Sequence, residues 1–273
     1  MAQSPRPENL PDFEKPPLRE VVVGVQFAPP RNYQQIYAGQ VWDLFRSDYS
    51  LVQEHPPISP NFETFGISHQ RSFSPQIQFA TGANHDRFWF LRPSGDELIQ
   101  FQQDRLLHNW RKVGGLNNSY PRFESMVARF SDEVTKLENF VSSLAPQKLQ
   151  INQCEISYIN QIDFGSSQGS KASNWIKFLN FDDSIPDDLS ITFREVIRDP
   201  SGKPVSRLTC EIASATAPTG EEALLLTLTV RGAPRSTNIE SALEFIASGR
   251  EVIVRRFAEL TSSEAHKIWE RTK

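Results

Sequence analysis

A few side chains in this chain could do chemistry. Asp104 and Arg105 stand next to each other within Glu97–Lys112, where a carboxylate beside a guanidinium could act as an acid with its electrostatic partner. Glu155 alternates with apolar residues in Gln153, Glu155, Ser157 and Gln161. A carboxylate on a central strand has little water, so it needs a partner or its pKa rises, which is how acid–base groups are made. Arg194 and Arg207 follow further on, and a guanidinium fork suits phosphate and carboxylate alike. Each group also has a plainer reading, and that reading carries more weight. Asp104 is a turn residue and Arg105 a rim cation, while Glu155 is half of a structural salt bridge.

No fuller catalytic set stands behind them. Gly114-Gly115 lacks the Lys-Ser/Thr of a phosphate-gripping loop, and no nucleophile elbow occurs. His55, His69, His85, His108 and His266 show no spacing that puts two on one helix face, so neither a metal site nor a cofactor site is legible. Cys154 and Cys210 are the only cysteines; each lies in an apolar strand pattern, and together they give no disulfide framework. This usage reads as a reducing cytoplasm. A formal net charge of −4 argues against an unspecific nucleic-acid binder. No signal-peptide core and no membrane span is visible.

The elements that must position these residues begin with the hairpin. With Gln103-Asp104 as a two-residue turn, Gln102 faces Arg105, Gln100 faces Leu107 and Leu98 faces Asn109, all on one side. Ile99, Phe101, Leu106, His108 and Trp110 fall on the other, which makes a half-buried antiparallel sheet. Residues 1–17, rich in proline, read as a flexible arm. Then come a strand over Leu18–Ala28, a helix over Tyr33–Asp48 and a proline loop over Ser50–Pro60. Short strands follow around Glu63–Ser72, Gln76–Thr81 and Arg87–Arg92. A helix over Pro121–Leu144 carries Phe123, Met126, Phe130, Val134, Leu137 and Val141 as one apolar stripe.

The same order returns in the second half. A long strand over Leu149–Phe164 and a weaker helix over Ala172–Phe181 precede strands at Leu189–Arg198, around Cys210 and at Glu222–Arg231. A helix over Asn238–Leu260 follows, then a capping box at Thr261–Glu264 opening a short last helix. The expectation is an α+β protein of two similar units, residues 18–145 and 149–273, packed as one compact body. Each unit would be a curved antiparallel sheet gripping a long helix, in strand–helix–meander–helix order of helix-grip or TBP-like kind.

Several stretches also carry a likeness. Pro-Pro-Leu-Arg-Glu-Val at Pro16–Val21, Leu-Ile-Gln-Phe-Gln-Gln-Asp-Arg with Asn-Trp-Arg ending at Arg111, and Tyr-Pro-Arg-Phe-Glu at Tyr120–Glu124 are three of them. Gln-Cys-Glu-Ile-Ser-Tyr-Ile-Asn at Gln153–Asn160 and the ending with Phe257, Thr261, His266 and Trp269 complete the set. Together they resemble a sporadically distributed prokaryotic protein family of about this length without an assigned activity. The resemblance implies no chemistry; the patchy distribution implies an accessory or mobile cassette of defence or toxin–antitoxin type.

Strand parity gathers Gln100, Gln102, Arg105, Asn109, Arg111, Gln153, Glu155, Arg194 and Arg207 on the face away from the core. That face predicts a platform for a protein partner or a small anionic ligand, hence a non-enzymatic binding protein. One alternative is an enzyme with its site between the halves, using Glu155 and arginines on an anionic substrate. Another is a nucleic-acid-binding regulator, disfavoured because few aromatics interleave the arginines.

Overall fold

The computed structural model describes Pro7, residues 9–66, 87–114, 118–164 and 172–181, Pro186, and residues 188–217 and 220–273. The first-half strands are β1 (Leu18–Phe27), β2 (Leu51–His55), β3 (Arg87–Leu91), β4 (Glu97–Gln102) and β5 (Arg105–Arg111). The second half adds β6 (Ile151–Asp163), β7 (Ser190–Arg198), β8 (Pro204–Thr216) and β9 (Glu222–Gly232). All pair antiparallel in one sheet of nine strands, ordered β2-β3-β4-β5-β1-β6-β9-β8-β7. The fold is therefore α+β, and the sheet runs unbroken through both halves across the β1–β6 pair.

β-branched and aromatic side chains at period two make these strands, with one set turned inward. Val21, Val23, Val25 and Phe27 of β1 are buried, as are Leu208, Cys210 and Ile212 of β8 and Leu224, Leu226, Leu228 and Val230 of β9. Two long helices cover that face: α2 (Phe123–Leu144) and α3 (Ile239–Leu260). Phe130 is fully enclosed and Phe257 nearly so. Burying a side chain of this size contributes about 2–3 kcal/mol. α3 approaches the central strand closely, and Gly249 permits it: a Cβ there would lie 2.7 Å from the Ile156 side chain. Asn238 caps α3 by accepting the Ser241 N–H at 2.9 Å. No described helix is long and apolar enough to cross a membrane.

Several expectations need correction. The helix over Tyr33–Asp48 shortens to a 3-10 turn and α1 (Ala38–Asp43), leaving Ile36 82% exposed instead of in the stripe. The loop from Ser50 contains β2, an edge strand whose mostly exposed residues carry no inside–outside alternation. Of the helix over Ala172–Phe181 only a 3-10 turn at Ala172–Asn174 forms. The last helix, α4 (Ser263–Ile268), is capped by Ser262, one residue later than the expected box. The strand expected around Glu63–Ser72 is not a strand over 63–66; the remainder, the Gln76–Thr81 strand, His69 and His85 lie outside the described residues.

The described part of the flexible arm is docked. Leu10 is fully buried and Phe13 nearly so. Phe13 packs edge-on against Phe257 at 5.4 Å between centroids, and main-chain hydrogen bonds join Glu14 to Glu270 and Lys15 to Trp269. The prolines did not keep this segment off the surface. The apolar residues between them found the C-terminal helices.

Candidate functional site

The registers of neighbouring strands place all nine candidates on the face opposite the helices. Cross-strand partners share a face, so the pairing reads out as rows. One row runs Arg87, Gln102, Arg105, Gln26, Gln153 across β3, β4, β5, β1 and β6. The next holds Gln100, Leu107, Gly24, Glu155, Arg231 and Arg207. A third holds Asn109, Val22, Ser157, Thr229, Thr209 and Arg194. Parity was legible in the alternation; beyond the β4–β5 hairpin, which residues become neighbours was not.

This face is covered, contrary to a solvated platform. Gln100, Gln102, Arg105, Asn109, Gln153 and Arg207 are each 8% exposed or less. The described cover is the segment 56–66, which leaves β2 and crosses the sheet. Gln102 clasps Ile58 from both sides, accepting its N–H at 2.8 Å and donating to its carbonyl at 2.9 Å. Gln26 accepts the Asn61 N–H at 3.0 Å, and Gln153 accepts that of Glu63 at 3.3 Å. Arg207 then donates Nε to the Glu63 carboxylate at 2.7 Å and Nη2 to the Thr64 carbonyl at 2.8 Å. Its guanidinium also lies over the Phe65 ring at 5.5 Å.

Spacing shows what conformation this requires. From β4 to β1 is two strand separations, about 9.5 Å, and three residues of extended chain reach about 10 Å. Ile58 to Asn61 must therefore be nearly fully extended and close to perpendicular to the strands. Pro57 and Pro60 favour that, since a proline pushes the preceding residue out of helical geometry. Neutral bonds of this kind contribute about 1 kcal/mol each and the charge-assisted one somewhat more.

Beneath Ile58–Asn61 lies a cavity of about 400 Å³ between strap and sheet, lined among others by Gly24, Arg105, Leu107, Gln153, Glu155 and Arg231. Gly24 gives the floor its shape: a Cβ there would sit 2.0 Å from Leu107 Cδ2, so the leucine leans into the space glycine leaves. Two carboxylates at this site are engaged. Glu155 faces Arg231 across the β6–β9 register and accepts from its Nε at 2.8 Å. Asp104 takes Arg105 Nε at 3.0 Å and Nη2 at 3.1 Å, with Gln102 donating to the same Oδ1 at 2.9 Å. Arg87 donates to Gln100 at 3.2 Å, and burial followed by the nearby Arg105 charge lowers its pKa from the ordinary arginine value. Such an arrangement can bind peptide groups and anions, and both carboxylates are held by guanidinium groups.

Of the expected residues, Gln102, Gln153 and Arg207 meet at the strap, and Arg105 and Glu155 meet at the cavity below it. Gln100 and Asn109 bond each other at 3.0 Å beside it. Arg111 is pinned elsewhere, donating to the Gly95 carbonyl at 2.6 Å, and Arg194 lies exposed on the outer strand β7. Sequence reasoning missed Gln26 and Glu63. Gln26 had a signal, its alternation with the β1 valines. Among the described residues no cluster of three His, Cys, Asp or Glu could hold a metal ion. No family model, no curated protein and no solved structure matches this chain.

Proposed function

We propose that the chain is a non-enzymatic binding protein whose recognition surface is the carboxamide-and-arginine face of the sheet, and that it takes an anionic group of a protein partner. The observation that carries this is Arg207 on that face holding a carboxylate, that of Glu63. The enzymatic reading has less support, because Glu155 is tied to Arg231. The buried, free cysteines, whose thiols burial pushes up to about 12, are in keeping with a cytoplasmic setting.

The test uses Glu63→Ala, which frees Arg207 without touching the sheet. This variant is titrated by calorimetry with a short polyglutamate peptide, a single-stranded oligonucleotide and inorganic phosphate. The expected result is polyglutamate binding that weakens with salt and disappears on adding Arg207→Ala. Oligonucleotide binding at least as strong would transfer the function to the nucleic-acid alternative. Absence of binding by all three at low salt would overturn the reading.

We also infer that residues 18–145 and 149–273 are two copies of one unit. Outward from the centre the order is β1-β5-β4-β3 on one side and β6-β9-β8-β7 on the other, and in each half the strands are followed by a helix of 22 residues. The strand β2 and the helix α1 would be additions to the first copy.

A further inference from the structure

We infer that the partner presents an extended acidic segment read through its main chain, and that residues 56–66 are an internal competitor which such a segment displaces. This rests on the binding reading above and specifies its ligand and its regulation.

The contacts themselves point to a peptide. Gln102, Gln26 and Gln153 address backbone N–H and C=O groups at Ile58, Asn61 and Glu63, and Arg207 addresses one backbone carbonyl and one carboxylate. Every residue but proline offers the same backbone groups. Any extended chain with free N–H groups at positions i, i+3 and i+5 and an acidic side chain at i+5 can make these bonds. A carboxamide that both accepts from and donates to one residue matches an extended peptide and suits neither a phosphate backbone nor a small anion.

Two features mark the strap as a replaceable occupant. Its apolar anchoring is slight: Ile58 is 38% exposed and Phe62 52%, and only Phe65, half-buried beside Arg207, packs on the sheet side. It also fits its floor poorly, bridging a cavity of about 400 Å³. Interiors close to crystal-like density when a cover is built only to cover. A space this large lies in the range of ligand pockets, about 300–1,000 Å³. A partner segment with larger side chains at the positions of Ser59 and Pro60 would reach down toward Leu107 and the Glu155–Arg231 pair, adding contacts that the strap lacks.

The experiment uses the full chain in two forms, wild type and the double variant Asn61→Pro/Glu63→Pro, which deletes two strap N–H donors and the carboxylate. The probe is a synthetic peptide with the sequence of residues 56–66, with a second peptide N-methylated at the positions of Asn61 and Glu63. Far-UV circular dichroism and Tm establish that both proteins are folded. The first peptide should bind the double variant at least about tenfold tighter than the wild type, a difference of ~1.4 kcal/mol. The N-methylated peptide should lose that binding, as should the double variant carrying Arg207→Ala. Equal binding of the peptide to both proteins would overturn the competitor role. Equal binding of both peptides would overturn main-chain reading. Either result leaves the anion-binding surface standing on the polyglutamate titration. Failure of the peptide to bind the folded double variant, with polyglutamate still binding, would overturn this inference alone.

Discussion

Replacing Glu133 by alanine should be among the most destabilising single changes in the molecule. Glu133 is 5% exposed on the inner face of α2 and holds two groups of the first half. His108 Nδ1 lies 3.0 and 2.9 Å from its two oxygens, and since a carboxylate only accepts, that nitrogen carries the proton. Tyr49 donates its hydroxyl to Oε1 at 3.0 Å. Burial, with the charges of Glu133 and Glu97, raises the pKa of this phenol, so it stays a donor. His108 is 1% exposed and Tyr49 4%, so without Glu133 neither finds water. Two orphaned buried donors at about 1–3 kcal/mol each, with the loss of a buried charged partner, give about 3–5 kcal/mol. The assay is urea unfolding followed by circular dichroism, with the slope m checked for constancy. His108→Leu and the Glu133→Ala/His108→Leu pair complete a double-mutant cycle. The pair should cost less than the sum of its singles by more than ~1 kcal/mol, since with both partners replaced only the Tyr49 hydroxyl is left unpaired. A loss below ~1 kcal/mol for Glu133→Ala, or strict additivity in the cycle, would refute the network.

Three further outcomes are expected. Phe130→Ala, at a fully buried position, should cost about 3–5 kcal/mol in the same unfolding assay, and a loss below ~1 kcal/mol would place that side chain outside the core. His266 has its pKa lowered from 6.5 by burial, then by the Arg271 and Lys177 charges, and its Nδ1 accepts from Arg271 at 3.1 Å. The unfolded state therefore binds the proton more readily; stability is full above pH ~6.5 and falls as pH drops below it, and His266→Gln should flatten that part of the profile, leaving the contribution of His55, lowered in the same sense. Glu155→Gln should cost only about 1 kcal/mol, because its pair with Arg231 is roughly a quarter exposed, and a loss above ~3 kcal/mol would mean a buried pair instead.

The local patterns in the chain were sufficient for a good part of this molecule. A two-residue turn and strict alternation set the hairpin register, and Gln102↔Arg105, Gln100↔Leu107 and Leu98↔Asn109 pair as the spacing requires. The stripe of α2 named Phe130 as a core position, because a helix can bury only one side against a sheet. Strand parity put nine dispersed polar residues on one face, because side-chain direction in a strand is a two-state property readable residue by residue. The partners on that face were decided by the tertiary structure. Glu155 meets Arg231 through the β6–β9 register, a pairing between residues 76 positions apart that neither local pattern constrains. Glu133 on the inner face of α2 broke the apolar stripe, and its reason, His108, became visible only when the helix was laid on the sheet. The strap left the faintest trace. Its bonds are made by its own N–H and C=O groups, which are nearly the same whatever the side chain, so residues 56–66 had no composition or period that announced where they lie. What they cover follows from the reach of an extended chain across strands about 4.8 Å apart, a fact of three-dimensional geometry.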